Sequence, residues 1–329
     1  MRVGRRQLPR AARHQFYGME AWGVSRRGWL LFAAMCLIWG IPYLLIKLAV
    51  GHLAPAELVF WRTAIGSVLL LPIALARGQI SPLLARWRPL LLYTLCEIAI
   101  PWFLLADAET RISSSLSGLL VAAVPLVGVL IVRYSGAQDR LTGERLLGLL
   151  IGLAGVGAVL GFDLGRITVG SMLEMAVVVC GYAVGPQILA RKLAGLPSLG
   201  VVASSLVICA VLYAPAGLLQ RPSHLPSPIV IAAVVTLGVI CTAIAFLIFF
   251  ALIGEAGAVR ATVITYVNPA VAVALGVAVL HEHLTFGVAI GFALVLGGSV
   301  LATRTGAGPG AGSTEPAEPV LADLQVAGS

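Results

Sequence analysis

Long apolar runs alternate with short polar connections along most of the chain. Ten such runs are bounded by charged residues, glycine or proline, and they cover residues 29–50, 55–76, 89–107, 114–133, 146–162, 169–190, 200–219, 229–253, 258–280 and 285–302. A helix of about 20 residues is long enough to cross the hydrocarbon core of a bilayer. The pattern therefore predicts an all-α integral membrane protein of ten transmembrane helices with antiparallel neighbours.

The composition excludes a water-soluble globular domain. Hydrophobic residues make up 59% of the chain and charged residues 11%, whereas soluble domains have about 45–50% and about 25%. The five cysteines all lie inside apolar runs, where a thiol behaves as a small buried hydrophobic group. We therefore expect no structural disulfide.

Two polar tails flank the apolar runs. Residues 1–28 form a basic tail, and residues 304–329 are rich in Gly, Pro, Ala and acidic residues, a composition typical of disorder. The run at 29–50 is about twice as long as the apolar core of a secretory signal, so we expect it to stay in the membrane. Met19 is an alternative initiator to Met1.

The distribution of basic residues predicts an orientation. The formal charge of +8 could indicate a nucleic-acid partner, but seven of the basic residues precede the first apolar run. With the N-terminus in the cytoplasm, seventeen of the 22 Lys and Arg lie on the cytoplasmic side and three on the other. Cytoplasmic connections retain basic residues. We therefore expect a multi-pass inner-membrane protein with both termini in the cytoplasm and no nucleic-acid partner.

Landmark residues recur about 143 positions apart in two halves of the chain. The pairs are Pro42 and Pro186, Pro55 and Pro197, Pro72 and Pro215, Pro125 and Pro269, Asp139 and Glu282, Gly148 and Gly291, and Gly155 and Gly298. The halves, 29–162 and 169–303, each hold five predicted helices, and an odd number inserts the second half in the opposite sense. The sequence thus predicts two inverted five-helix repeats, with a substrate site where the halves meet.

Four of the paired prolines fall near the middle of their runs: Pro42, Pro125, Pro186 and Pro269. Proline removes a backbone donor and interrupts a helix, and such breaks are tolerated in a membrane where protein or a water-filled cavity satisfies the freed groups. These prolines are candidates for helix breaks and gating. Kinks that serve only packing are the alternative.

With these landmarks, the sequence resembles members of the drug/metabolite transporter superfamily, specifically the ten-helix EamA-type transporters. The resemblance covers about residues 30–303, and it rests on Trp39-Gly40 with Lys47, Pro55 with Arg62, Ser114 to Pro125, Ala258 to Pro269, Glu282 to Thr285, and Gly291 with Gly298. Asp139 in place of the usual Glu, and Ser204 near the position that matches Arg62, depart from the family pattern. The resemblance implies a central cavity lined by helices 1, 3, 4, 6, 8 and 9.

Ionisable side chains inside the predicted helices are costly in a membrane and are candidates for function. Glu97, near the middle of the third helix, could bind an ammonium group or exchange a proton, and a structural carboxylate is the alternative. Glu174 lies close enough to its helix end to be interfacial. Arg62 could form a structural ion pair or contact substrate, and Lys47 could extend to the membrane surface.

Aromatic and amide side chains cluster at the depth of the expected cavity. With Glu97 and Glu174, the substrate-cavity candidates are Trp39, Tyr43, Trp102, Tyr182, Tyr266 and Asn268. Their apolar faces and polar tips suit an amphipathic metabolite, and packing between helices is the alternative. His281-Glu282-His283 lacks the helical spacing of a zinc motif. The chain also has no phosphate-binding Gly-Lys-Ser/Thr loop, so we expect neither metal nor cofactor.

The expected function is secondary transport by alternating access. The cargo would be a small amino-acid-like or drug-like solute, moved across the inner membrane with export as the expected direction. Proton coupling through Glu97 and uncoupled facilitated diffusion are both open, as is a monomer or a homodimer. A membrane-embedded enzyme acting on lipid or prenyl chains is one alternative, although no paired acidic or His cluster supports it. A nontransporting sensor or assembly protein is the other.

The orientation can be tested with topology reporters. We expect alkaline phosphatase fused after residue 222 to be active and the same enzyme fused after residue 194 or at the C-terminus to be inactive, because only the first site lies outside the cytoplasm. A green fluorescent protein fused at the same sites gives the reciprocal signal. An active phosphatase at the C-terminus would contradict an even number of helices.

Overall fold

A computed structural model describes residues 25–134, 143–163, 168–220, 225–257, 261 and 263–303. Helices account for most of them, and the described residues contain no strand. In the first half the helices are α1 (Arg26–Ile38), α2 (Pro42–Val50), α3 (Pro55–Ala76), α4 (Ser81–Leu84), α5 (Trp87–Thr94), α6 (Ile100–Glu109), α7 (Ser114–Val121), α8 (Val124–Tyr134) and α9 (Gly143–Asp163). A π-helical turn, Leu95–Ala99, joins α5 to α6.

The described part of the second half also consists of helices. Its helices are α10 (Val169–Lys192), α11 (Ser198–Leu219), α12 (Pro228–Gly238), α13 (Ala245–Ala256), α14 (Ile264–Leu280) and α15 (Phe286–Thr303), and a π-helical turn, Val239–Ile244, joins α12 to α13. We number the helical stretches as spans: span 1 is α1 and α2, span 2 is α3, span 3 is α5 to α6, span 4 is α7 and α8, span 5 is α9, span 6 is α10, span 7 is α11, span 8 is α12 to α13, span 9 is α14 and span 10 is α15.

Helices occupy all ten of the predicted apolar runs. Seven helical stretches are long and apolar enough to cross a membrane, and shorter apolar helices cover Leu146–Ala158, Ile264–Leu280 and Phe286–Ala302. Large apolar side chains also cover the outside of the bundle, for example Leu153 and Val211, which are 67% and 68% exposed. An outer surface of this kind is stable against lipid tails and unfavourable in water. The predicted all-α membrane class is confirmed.

Several of the main interfaces between the spans map onto one another when each span number is shifted by five. Span 5 packs most extensively on span 10, and span 2 on span 7. Span 3 packs on span 6 as span 8 packs on span 1, while span 4 packs on span 9. Under this shift the interfaces 5–10, 2–7 and 4–9 map onto themselves, and the interface 3–6 maps onto 8–1.

Glycines set the closest approach, between spans 5 and 10. A Cβ on Gly148 would lie 2.7 Å from the carbonyl oxygen of Gly298, and a Cβ on Gly298 would lie 2.6 Å from that of Gly148. The two backbones are therefore in direct contact through these glycines. A Cβ on Gly298 would also meet the backbone nitrogen of Gly152, so Gly148 and Gly152 together let span 5 approach span 10 closely.

Helix continuity differs between the two halves. Span 1 is interrupted at residues 39–41, just before Pro42, and span 4 at residues 122–123, just before Pro125. Spans 6 and 9 instead continue as regular helix through Pro186 and Pro269. Spans 3 and 8 carry the two π-helical turns at matching positions of the halves, and such turns occur often at functional sites.

A matched pair of glycine substitutions tests the contact between spans 5 and 10. We expect Gly298→Ala to lower the free energy of unfolding by about 1–3 kcal/mol, because its methyl group would meet backbone atoms that cannot move aside. Gly297 has no heavy atom within 4 Å of its Cβ position, so Gly297→Ala should be neutral or slightly stabilising. Thermal unfolding of both variants in the same detergent measures the difference, and equal losses would contradict the contact.

Candidate functional site

Arg62 is a buried cation in the middle part of span 2. Its side chain is 7% exposed, Nε donates a hydrogen bond to Thr242 Oγ1 at 3.0 Å, and the guanidinium carbon lies 3.6 Å from the centre of the Trp102 ring. Thr242 belongs to the π-helical turn of span 8, and its hydroxyl donates to the carbonyl of Leu237 at 2.8 Å. Span 8 therefore orients the guanidinium over the ring of Trp102.

The charge of Arg62 has no counterion among the described residues. No described carboxylate lies within ion-pair distance of it, and its two terminal nitrogens make no hydrogen bond to a described residue. A structural ion pair is one of the roles expected for Arg62. Among the described residues its partners are instead the hydroxyl of Thr242 and the ring of Trp102. Two donor-bearing nitrogens thus remain available for an anionic group.

Tyr182 of span 6 lies near both Arg62 and Glu97. Its ring packs against both of the large apolar clusters of the bundle, and it is close enough to interact electrostatically with Arg62 and with Glu97. Tyr43 of span 1 is buried, at 7% exposure, and lies within the same electrostatic range of Tyr182 and Arg62. Of the predicted cavity residues, Tyr43, Glu97, Trp102 and Tyr182 therefore lie in the same region as Arg62, and we call these five residues the Arg62 group.

Glu97 lies in the π-helical turn of span 3, against a glycine of span 6. Its Oε2 is buried and has no hydrogen-bond partner among the described residues. A Cβ on Gly185 would lie 2.9 Å from the carboxyl carbon of Glu97, and a Cβ on Gly181 would lie 2.8 Å from Pro101. The two glycines let span 6 pack directly on this turn, so the carboxyl group faces the backbone of span 6.

Asn268 compensates for the break in span 1. Gly40 N bonds to the carbonyl of Leu37 rather than to that of Cys36 four residues earlier. With its amide turned so that nitrogen faces the two carbonyls, Asn268 donates to Cys36 at 3.1 Å and to Ile264 at 3.0 Å. The side chain therefore satisfies a carbonyl freed by the break and ties span 9 to span 1.

The remaining aromatic candidates lie beside the breaks rather than next to Arg62. Trp39 packs on Phe249 and Phe246 of span 8, with ring centres 4.8 Å and 5.8 Å away. The hydroxyl of Tyr266 lies 3.4 Å from the carbonyl of Ser299. Ser299 in turn donates to the carbonyl of Ala122, in the break of span 4, at 3.0 Å. Both aromatics therefore contact the elements around the interrupted helices.

Glu174 lies in an ionic cluster near one end of the bundle. It pairs with Arg111, which also pairs with Asp107 at 2.8 Å and bonds to Ser171 at 3.0 Å. Arg111 follows the end of span 3, and Glu174 lies in the second turn of span 6. The structure thus places Glu174 at the junction of these two spans, apart from the Arg62 group.

The turn between spans 3 and 4 is held by two side chains of opposite charge. Lys47 of span 1 donates to the carbonyls of Glu109 and Ile112 at 2.6 Å and 2.7 Å. Glu282, before span 10, accepts from the backbone amides of Ser114 and Ser115 at 2.8 Å and 2.9 Å and from their hydroxyls at 2.9 Å and 2.5 Å. A cation at a helix C-terminus and an anion at a helix N-terminus are both favourable. We call residues 110–113 with Lys47 and Glu282 the outer clamp, after the orientation that the sequence predicts.

Burial alone would raise the pKa of Glu282, but the hydrogen bonds from Ser115 and Ser114 outweigh it and lower the pKa below the ordinary value of 4.5. Gly276 leaves the space for this arrangement, because a Cβ there would lie 2.5 Å from Glu282 Oε2. The carboxylate is therefore held ionised at the start of span 4.

Two residues are not among those predicted from the sequence, Thr242 next to Arg62 and Glu109 next to Lys47. Thr242 orients Arg62 and lies in a π-helical turn, and a single threonine in an apolar run carries no signal of that role. Glu109 ends span 3 and is completely buried, with no hydrogen-bond partner for either carboxyl oxygen among the described residues. The predicted third helix stopped at residue 107, which placed Glu109 in a connection. An acidic residue directly after an apolar run is the signal that could have found it.

Comparisons with known proteins give a consistent picture. The sequence model of the EamA-like transporter family matches twice, at residues 26–161 and 170–304. An uncharacterized transporter, YvbV of Bacillus subtilis, is 26% identical over 272 residues, which cover 81% of this chain and 88% of the relative. The uncharacterized inner membrane transporter YedA of Escherichia coli K12 is 32% identical over 127 residues, 37% of this chain and 40% of the relative. A solved crystal structure is similar with a TM-score of 0.61 and 27% identity, covering 83% of this chain and 95% of that one.

The outer clamp predicts a specific pH dependence of stability. Because the folded pKa of Glu282 is lowered, its contribution is present above the ordinary value of 4.5 and is lost as the pH falls through the lowered folded pKa. We expect Glu282→Gln to cost about 1–2 kcal/mol at about pH 7, after allowance for partial exposure, and much less at about pH 3. Thermal unfolding at both pH values measures this.

Glu144→Gln makes the same chemical change at an exposed position near the start of span 5 and is the control. A pH-independent difference between Glu282→Gln and the wild type would contradict a charged clamp.

Proposed function

The chain belongs to the EamA-like transporter family, and on that premise we propose that it is a secondary transporter that carries a small amphipathic solute by alternating access. The family and its transporter-named relatives already support a membrane transporter of a small molecule rather than an enzyme. The observation that carries the finer proposal is Arg62, a buried guanidinium without a counterion among the described residues.

We propose that Arg62 binds a carboxylate or similar anionic group of the cargo. A buried cation without a counterion is expensive in a membrane, and an anionic ligand would offset that cost with charge-assisted hydrogen bonds to the two terminal nitrogens. Thr242 and Trp102 fix the guanidinium without consuming those nitrogens. Such a fixed fork would select a planar anion over a neutral polar group.

Glu97, in the same cluster of residues as Arg62, is suited to bind a cationic part of the cargo. Tyr182 lies within electrostatic range of both Glu97 and Arg62, and the buried Oε2 of Glu97 has no hydrogen-bond partner among the described residues. A cargo with an ammonium and a carboxylate would satisfy both charges at once, and the rings of Trp102 and Tyr182 would contact its apolar part. We therefore propose an amino-acid-like cargo.

The pairwise packing of the spans supports two inverted five-helix repeats. The family model matches the two halves separately, and the interfaces of spans 5 with 10, 2 with 7, 4 with 9, and 3 with 6 and 8 with 1 map onto one another when the span numbers are shifted by five. Arg62 of span 2 contacts Thr242 of span 8, and a hydrogen bond of 2.8 Å between the corresponding spans of the other half joins Thr94 of span 3 to Ser205 of span 7. The cargo site would then lie where the halves meet, as in other inverted-repeat transporters.

The distribution of Lys and Arg supports an inner-membrane protein with both termini in the cytoplasm. In that orientation the outer clamp faces away from the cytoplasm. Two side chains from other parts of the chain hold the turn there, which supports a conformation closed on the outside. We propose export as the net direction, which begins from such an inward-facing state.

Substitution of Arg62 tests the proposal. Untargeted mass spectrometry of medium and cytosol would compare host cells that express the wild type, Arg62→Gln, Glu97→Gln or an empty vector. We expect one metabolite class to move from cytosol to medium in the wild type and the redistribution to fall about tenfold or more in Arg62→Gln, because a lost charge-assisted contact costs several kcal/mol. Arg62→Lys should recover little, since it lacks the planar fork.

Arg88→Gln is the matched control. Arg88 also lies near a tryptophan ring, with its guanidinium carbon 5.3 Å from the centre of Trp87, but it is exposed at the start of span 3. We expect it to match the wild type at equal membrane abundance. Full redistribution in Arg62→Gln would make Arg62 structural. Lipid or prenyl products that change in the wild type would favour an enzyme.

A further inference from the structure

Glu109 is a completely buried acid at the end of span 3. The whole residue is 0% exposed, and neither carboxyl oxygen has a hydrogen-bond partner among the described residues. It is also the last residue of α6, where the carbonyl end of the helix disfavours a negative charge. A carboxylate in this position loses its hydration, and the nearby Lys47 ammonium and Ser117 hydroxyl offset only part of that loss, whereas a neutral carboxylic acid loses far less.

Charged and titratable groups surround Glu109 on several sides. Lys47 and Tyr43 face it from span 1, Tyr182 from span 6, Glu282 from the connection before span 10, and the hydroxyl of Ser117 from span 4. On its own span Asp107 is occupied by Arg111. Lys47 is the cation among the described residues that acts on Glu109, so a metal cation would meet repulsion from its ammonium here. A proton is the ligand that this group can accept.

The ammonium of Lys47 is already engaged elsewhere. It donates to the carbonyls of Glu109 and Ile112 at 2.6 Å and 2.7 Å, and the ion pairs of the described residues do not include Lys47 with the Glu109 carboxyl. A neutral Glu109 leaves the ammonium on these carbonyls, where it holds the outer clamp. An ionised Glu109 would compete for the same ammonium.

We propose that Glu109 is a proton-binding site separate from the Arg62 group, and that loss of its proton draws Lys47 away from the turn and opens the outer clamp. The proton leaves the carboxyl group for water, and the new carboxylate pairs with the existing ammonium, so charge and atoms balance. This inference rests on the proposed transport function. It makes the proton the coupling ion of transport and assigns proton binding to Glu109 rather than to Glu97.

Two tyrosines lie near both Glu109 and the proposed cargo site. Tyr43 lies within electrostatic range of Glu109 and of Arg62, and Tyr182 within range of Glu109, Arg62 and Glu97. Tyr43 and Lys47 both belong to α2, the part of span 1 beyond its break. A movement of α2 would therefore carry the clamp lysine and a side chain next to the cargo site together.

Infrared spectroscopy of the purified full-length protein in phosphatidylcholine vesicles tests the site without any cargo. We expect the wild type to show a protonated-carboxyl C=O band at about pH 7, and Glu109→Gln to lose that component. Glu97→Gln should retain it, which separates the two buried acids. Glu109→Asp keeps an acid in place and should keep a band at a shifted frequency.

Lys47→Met tests the link to the clamp. Without the ammonium that favours the ionised form, the band should persist to a higher pH, by about one unit or more. An unchanged spectrum in Glu109→Gln would overturn the proton site, and an unchanged titration in Lys47→Met would overturn the link to the clamp.

The infrared result and the metabolite result are independent. A missing band with intact cargo redistribution would remove the proton site and leave transport at Arg62 standing. A titrating band with no redistribution in any host would retain the proton site and count against the proposed function.

Discussion

Polar groups inside a membrane must find partners within the protein, and this constraint organises the whole bundle. Lipid offers no hydrogen bonds, so each break in a helix needs a side chain from a neighbour. Asn268 supplies one at the break in span 1, and Ser299 supplies one at the break in span 4. The breaks are tolerated because spans 9 and 10 carry these residues at the right depth.

The same constraint separates structural charges from functional ones. Lys47, Arg111 and Glu282 are satisfied by carbonyls, carboxylates or amides near the ends of the spans. Arg62, Glu97 and Glu109 carry atoms without partners among the described residues, and all three are largely or completely enclosed. Protein stability alone would favour apolar residues at such positions. Their presence is the physical reason to assign them a ligand, whether cargo or proton.

Close helix contacts and irregular turns place these groups. Gly181 and Gly185 bring span 6 against the π-helical turn that carries Glu97, and the matching turn of span 8 carries Thr242, which orients Arg62. The π-helical turns widen the helix locally and change the direction in which side chains point. The turn of span 3 therefore carries the acid Glu97, whereas the turn of span 8 carries Thr242, which supports the base Arg62. The two turns lie at similar positions in the two halves but contribute different chemistry.

The sequence by itself determined the membrane class, the positions of the helices and the family, because long apolar runs, paired prolines and glycines, and their spacing are properties of the linear chain. It also identified Arg62, Glu97, Trp102 and Tyr182, since ionisable and aromatic residues in apolar runs are rare. Only the tertiary structure decided which of them meet. It placed Glu174 with Arg111 and showed continuous helix at Pro186 and Pro269. It also revealed Thr242 and Glu109, because the partner of a buried polar atom is set by residues far away in the chain, which no local pattern records.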